Sequence, residues 1–243
     1  MDRVVLNQKT DIGKEVLIKG PPLEALRFQE GRVGSLITLT DSKGSDFRGR
    51  ILRLSKEEAS ILIFDTFPTP TESFVEIILL QALPERERME LIIQKATELG
   101  VSAIIPFKSE RSISIEEREA KQKKAHRWQG IAVKAVQQSR RAKVPRVEAY
   151  RSFREALKIC DGEGLKIFLW EKKGETIKKI LKQYLPQKVY VMVGPEGGFT
   201  EEEANLAKRE GFVPVKLGQR ILRTETAAIT VVGILQYELG DLG

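Results

Sequence analysis

The sequence predicts an α/β protein in two parts. A small β-barrel is expected over residues 1–70, then a mostly parallel sheet with helices on both faces over residues 71–243. Three observations predict it. Short strand-like runs separated by glycine-rich or polar turns fill the first part. Strand-like and helix-like segments then alternate to the end of the chain, as in parallel βαβ units. Between the two lies "FPTPTES" (Phe67–Ser73), whose two prolines suit a linker.

In the first part, strands are expected at Glu15–Lys19, Ser35–Thr40, Gly49–Leu54 and Ala59–Phe64, with a turn at "DSKGSD" (Asp41–Asp46). In the second, "FVEIILLQAL" is a strand. "ERERMELIIQKATELG" is a helix with Met89, Ile92, Ile93, Ala96 and Leu99 on one face and Gly100 as its stop. "VSAIIPF" is the next strand. Ser114 and Glu117 have capping-box spacing and open a long basic helix to about Arg141, with Trp128, Ile131, Ala135 and Val136 at helical spacing. "VPRVEAY" is a strand, and Ser152 with Glu155 makes a second capping box. "LKIFLW", "KVYVMV" and "FVPVKL" are strands separated by helices. An apolar helix from about Thr226 to Leu239 closes the chain. It is apolar nearly all round, so it is central or buried against a partner subunit.

Composition narrows the function classes. No apolar run approaches the ~20 residues of a membrane span, and no charged-then-apolar secretory signal opens the sequence. Cys160 is the only cysteine, so no intrachain disulfide can form, and a cytoplasmic location is expected. The formal net charge is +7. Residues 108–146 carry 12 basic and 4 acidic side chains, a net of +8. Basicity concentrated in one segment, with Trp128 and several glutamines in it, predicts an RNA footprint.

One loop points to a small ligand. "KVYVMV" reads as a buried parallel strand, and at its carboxyl end come Gly194, Pro195, Glu196, Gly197 and Gly198, with Thr200 and Glu203 capping the next helix. Ligands of open α/β sheets bind at such strand ends. Neither phosphate-loop pattern is present, and Glu196 would repel a polyphosphate. The ligand is therefore expected to be neutral or cationic. A second segment, "VKLGQRILRTETAAITVVGILQYEL", sets a turn at Leu217 and Gly218, then Ile221, Leu222 and Arg223 in a loop, then Thr224 or Thr226 at a helix start. Apolar loop residues beside a glycine can wrap a flat apolar ring.

Taken together, "GPEGGFTEEE" and "LGQRILRTETAA" resemble the SPOUT (trefoil-knot) methyltransferases. Within them the chain is similar to the 16S ribosomal RNA uridine-N3 methyltransferases of RsmE type. "QKATELGVSAIIP" (Gln94–Pro106), "SERS" (Ser109–Ser112) and "QSRR" (Gln138–Arg141) agree, so the resemblance covers most of residues 75–238. It implies a PUA-like RNA-binding barrel before a knotted SPOUT domain, S-adenosylmethionine as methyl donor, and a homodimer; no metal is expected, since the sequence holds no Cys/His cluster. It also implies ribosomal RNA as partner, within a small-subunit particle, and no membrane. The sulfonium donor carries no phosphate, which suits Glu196, and the glycines let backbone approach it. The implied donor pocket uses Glu171, the loop Gly194, Pro195, Glu196, Gly197 and Gly198, and the segment Leu217, Gly218, Ile221, Leu222, Arg223 and Thr226.

Methylation at N3 requires the N3 proton to leave and the uracil oxygens to be stabilised. Arg111 and Arg141 are the candidates for holding phosphate or those oxygens. The proton acceptor is expected to be Glu225 or Glu196. His126, the only histidine, falls on the basic helix and is read as a surface or RNA-facing residue. A SPOUT enzyme acting on another RNA such as tRNA, and a non-catalytic RNA-binding assembly factor, are the alternatives. Donor binding separates the second from both enzymes.

Overall fold

The computed structural model describes residues 2–28, 31–42, 45–66, 72–84, 86–112, 125–141, 143–160, 162–172 and 174–243. Two compact units result: Met1–Glu72 with Arg140–Ala142, and Ser73–Ser139 with Lys143–Gly243.

The first unit is one five-stranded sheet. Its strands are β1 (Asp2–Val5), β2 (Glu15–Ile18), β3 (Leu36–Thr40), β4 (Asp46–Leu54) and β5 (Ala59–Thr66), in the order β1-β3-β4-β5-β2. All pairs are antiparallel except β1 with β3. Register shifts at Arg48/Gly49 and Ile51/Arg53 mark β4, and bulges of this kind bend a strand. The sheet curls into a half-barrel with β1 and β2 as its edges, where sequence reasoning expected a barrel. Gly49 is needed inside the curl, since a Cβ there would collide with Ile61 and Leu39. A helix that the pattern did not announce, α1 (Pro21–Phe28), opens on two prolines, which the first helical turn tolerates. It adds Leu23 and Leu26 to the core of Val4, Val16, Ile37, Leu39 and Ile61. Within this unit the Arg141 guanidinium grips Glu72, with Nε 3.4 Å from Oε1 and Nη2 2.6 Å from Oε2.

The second unit is built on parallel strands. Its sheet runs β11 (Glu175–Thr176), β13 (Val213–Lys216), β10 (Leu165–Leu169), β12 (Lys188–Val193), β6 (Glu76–Ala82), β7 (Ala103–Lys108), β8 (Arg146–Val147), and β9 (Arg151–Ser152) also pairs with β7. Every pairing is parallel. Side chains alternate between two cores, as strand geometry requires. Ile77 and Leu79 of β6 and Val189, Val191 and Val193 of β12 enter one core. There they meet α2 (Arg86–Glu98), α3 (Ala125–Ser139), α5 (Ile177–Leu181) and α7 (Thr224–Leu239). Ile78, Leu80, Tyr190 and Met192 enter the other core, against α4 (Phe153–Ile159) and α6 (Glu201–Arg209). The alternation of strands and helices is therefore the parallel, doubly covered sheet that it predicted. "VPRVEAY" yields only the two-residue β8.

Helix ends follow local chemistry. Ser152 and Glu155 form the expected capping box of α4. Hydrogen bonds from the Ser152 hydroxyl, and then from its backbone N–H, hold the Glu155 carboxyl below its ordinary pKa. Thr200 and Glu203 do the same capping for α6. The Ser114–Glu117 box falls outside the described residues, as does the His126 side chain. Helix α3 ends at Ser139, just before Arg140 at φ +59°. Helix α2 stops at Gly100 as expected: φ is +88°, Gly100 N–H donates to Thr97 O (3.1 Å) and Val101 N–H to Ala96 O (3.0 Å), a Schellman motif. The Gly100 carbonyl accepts from Gln236 Nε2 of α7 at 3.2 Å.

Gly100→Ala therefore places a Cβ in the left-handed region and against Gln236. We expect a loss of about 1–3 kcal/mol in unfolding free energy, read from the denaturant midpoint. An unchanged midpoint would mean that the turn relaxes freely.

Candidate active site

Three loops leave the carboxyl ends of the adjacent parallel strands β12, β10 and β13, the edge at which α/β sheets bind ligands. They enclose a cavity of about 280 Å³. The glycine loop follows β12. The loop after β10 carries Glu171, and the loop after β13 runs from Leu217 into α7. Ten of the residues expected at a donor pocket line this cavity: Glu171, Gly194, Pro195, Glu196, Gly198, Leu217, Gly218, Ile221, Leu222 and Arg223. Apolar walls come also from Leu169, Val193, Val215 and Ala227. Ile221 is 87% exposed, an apolar side chain left in the loop.

Each glycine has its own reason. Gly198 sits at φ +66°, and a Cβ there would lie 3.6 Å from Glu171 Oε1. A Cβ on Gly194 would press on the Phe199 ring at 3.2 Å. Phe199 anchors the loop from beneath, stacked on Phe107 at 6.4 Å between ring centres and edge-on to Phe168. Gly197 is different. It does not line the cavity, and a Cβ there would meet Arg111 Cβ at 3.1 Å and Cδ at 3.2 Å. Its bare face is covered by the Arg111 side chain, whose Nη1 donates to Gly197 O at 2.7 Å.

Buried polar groups tie the loops together. The Thr224 hydroxyl donates to Gly194 O (2.7 Å) and accepts from Gln81 Nε2 (3.1 Å). Gln81, fully buried at the end of β6, also donates to Ala82 O (2.8 Å). So Thr224, the first residue of α7, points its side chain at the glycine loop, and α7 has no side-chain cap at Arg223. On the other flank, Arg88 of α2 donates to Glu196 Oε1 at 2.7 Å, and its Nε lies 3.9 Å from Glu225 Oε2. That Glu225 oxygen is buried and has no hydrogen-bond partner.

Residues 71–236 match the family model described as an RNA methyltransferase domain. The chain belongs to this RNA methyltransferase family. It is 33% identical over 223 residues to the ribosomal RNA small subunit methyltransferase E of Bacillus subtilis, covering 89% of this chain and 86% of that protein. With the ribosomal RNA small subunit methyltransferase E of Aquifex aeolicus it shares 33% identity over 86% of this chain and 97% of the other. Its structure is similar to that of a ribosomal RNA small subunit methyltransferase E from Neisseria gonorrhoeae bound to S-adenosyl methionine, with a TM-score of 0.77, 36% identity and full coverage of both chains. A methyltransferase of Legionella pneumophila in complex with the cofactor SAM superposes with a TM-score of 0.72, 31% identity and 99% of each chain. The fold class is thus the expected one, a SPOUT domain preceded by a curled β-sheet.

As a methyltransferase site, the cavity fits an adenosyl sulfonium by its own chemistry. Apolar walls and backbone surround a slot, with the carboxylates of Glu171 and Glu196 in its lining. Thr226 is exposed on the first turn of α7 and lies outside the lining, as does Glu225. The Arg141 side chain is 6% exposed and its guanidinium is engaged with Glu72, whereas Arg111 is exposed beside the glycine loop. Sequence reasoning missed Gln81, Arg88 and the bridging role of Thr224. The "TET" at a helix start was the only local signal, and it reads as a cap.

Thr224→Val keeps the shape and removes the hydroxyl. It leaves Gly194 O without its donor, and we expect about 1–3 kcal/mol of destabilisation. Thr226→Val, at an exposed position of the same turn, should stay within about 0.5 kcal/mol. Equal midpoints for the two variants in chemical denaturation would contradict the bridge.

Proposed function

We propose that this protein is an S-adenosylmethionine-dependent methyltransferase that methylates N3 of a uridine in 16S ribosomal RNA. The observation that carries the reading is the cavity at three parallel strand ends, lined by the glycine loop and carboxylates, in a chain similar to enzymes of that name. The donor, when bound, supplies an electrophilic methyl group on a cationic sulfur. Leu217 to Arg223 would wrap its flat ring, Gly194 to Gly198 would approach with backbone, and Glu171 would face its polar groups.

On the acceptor side, Arg111 would hold a phosphate or the uracil oxygens, its Nη1 being steadied by the Gly197 carbonyl. Glu225 is the proton acceptor in this reading. Its Oε2 has a lone pair that no hydrogen bond uses, while Glu196 is already bonded to Arg88. The half-barrel and the basic segment 108–146 would bind the RNA electrostatically, the former as a PUA-like RNA-binding domain. Arg141, held by Glu72, would serve the framework of that domain. Small-subunit particles as substrate go with a cytoplasmic location.

A homodimer completes the reading. Helix α7 is largely apolar yet leaves Tyr237 64% exposed, one turn after an uncovered Gly233 on the same helix. Light scattering at micromolar concentration should give about twice the monomer mass of 27.4 kDa. The monomer mass would remove the second subunit from the site.

The decisive assay incubates the protein with methyl-labelled donor and small subunits from cells lacking it, then maps the label. Label on N3 of a uridine in the small-subunit RNA is expected, and label on another atom would overturn the assignment. In the same assay Glu225→Gln should lower the turnover rate by about 10²–10⁴ with donor affinity unchanged. A wild-type rate would dismiss Glu225 as the acceptor.

A further inference from the structure

Glu203 is buried at 8% exposure and belongs to no wall of the donor cavity. As the third residue of α6 it accepts from the Thr200 N–H at 3.0 Å, which completes the capping box. A cap needs nothing more, yet this carboxylate does more. Its Oε2 also accepts from the Ser109 hydroxyl at 3.0 Å, and its Oε1 accepts from the Glu110 N–H at 2.9 Å. Both donors lie in the "SERS" turn after β7, 94 and 93 residues away in sequence.

That turn is closed on itself. Ser109 N–H donates to Ser112 Oγ and Ser112 N–H to Ser109 O, each at 3.1 Å. Ser109 is fully buried, and Arg111 projects from the turn with its stem over Gly197. Two points therefore fix the turn against the segment 197–203. One is the Arg111–Gly197 hydrogen bond at the exposed end. The other is the Glu203 carboxylate at the buried end. An exposed arginine on a turn of this length would otherwise sample many positions. With its root held at Ser109 and Glu110, it points at the glycine loop.

We propose that Glu203 is a positioning residue for the methyl transfer. It uses the cap of α6 to fix the SERS turn, and so holds Arg111 over the donor loop where the RNA base is met. This rests on the reading above that Arg111 serves the acceptor side. The geometry couples the two substrates' sites. The helix that follows the donor loop also sets the arginine, so one side chain, Glu203, ties the donor loop to the root of the turn that carries it.

Glu203→Gln separates the roles. Glutamine at this position still caps a helix, so the Thr200 contact survives. An amide has one acceptor oxygen, so its nitrogen faces one of the SERS donors and that contact is lost. We expect the melting temperature to fall by only a few degrees, for the one donor left facing an N–H, and the donor dissociation constant from calorimetry to stay close to wild type. We expect kcat/KM for methylation of small subunits to fall by about tenfold, mostly in kcat. In an Arg111→Ala background, Glu203→Gln should add nothing, because the group it positions is gone. Glu155→Gln, the same change in the capping box of α4, should leave the rate unchanged.

Multiplying effects of Glu203→Gln and Arg111→Ala would overturn the inference, as would a wild-type rate in Glu203→Gln. If Glu203→Gln fails to fold, Ser109→Ala carries the test. It removes one donor, and should lower the rate only where Arg111 is present. A wild-type rate in Arg111→Ala would remove Arg111 from the site and this inference with it. No transfer by the wild-type chain would instead overturn the proposed function.

Discussion

The site depends on a hydroxyl. Thr224 Oγ1 binds the glycine loop, the central strand β6 and the closing helix to each other, through Gly194 O and Gln81 Nε2. A sheet buried on both faces leaves little room for polar atoms except at its strand ends. There the backbone must leave the ladder, and each freed carbonyl needs a donor. The Gly194 carbonyl is such a group. Its satisfaction by the first residue of α7 brings that helix to the carboxyl edge of the sheet. The cavity is what remains between the loops once this bond is made.

The fold was legible where one segment determines its own structure. Hydrophobic runs gave the central strands, Gly100 ended α2, and two capping boxes were read from Ser/Thr and Glu three residues apart. The misses follow from context. Helix α1 is short and begins with two prolines, so its pattern is weak, and it forms because Leu23 and Leu26 complete a core made elsewhere. The curl of the barrel-like sheet goes with register shifts in β4, and no local residue announces how far a sheet curls. The pair β1–β3 is parallel within an otherwise antiparallel sheet, a property of the crossover and not of either strand.

The site divides in the same way. The cavity proposed for the donor is lined by backbone and loop side chains in three short segments, and glycines and apolar loop residues pointed to those segments. The contacts around it join residues distant in sequence: Arg88 with Glu196, Arg111 with Gly197, Ser109 with Glu203. The separations are 108, 86 and 94 residues. No periodicity or motif reports such pairs. Arg141 shows the converse. Arg141 of "QSRR" was expected to hold phosphate or the uracil oxygens, yet its side chain is buried on a carboxylate while its neighbour Arg140 remains exposed.

The glutamate at the centre of the glycine loop now has a physical account. Glu196 of the glycine loop and Glu225 of the first turn of α7 both face the guanidinium of Arg88. Two carboxylates held near each other repel unless a cation stands between them. Arg88 supplies that cation from α2, with a short bond to Glu196 and a looser contact to Glu225. The asymmetry matters. A guanidinium bonded closely to one carboxylate fixes it in place, while the other keeps an oxygen free of hydrogen bonds. A loop built to hold phosphate would gather N–H groups and a lysine around a concentrated negative charge. Here the loop brings its own negative charge and meets an arginine already committed to neutralising it. Such an arrangement disfavours a polyphosphate at the glycine loop and leaves it open to a ligand whose charge is positive.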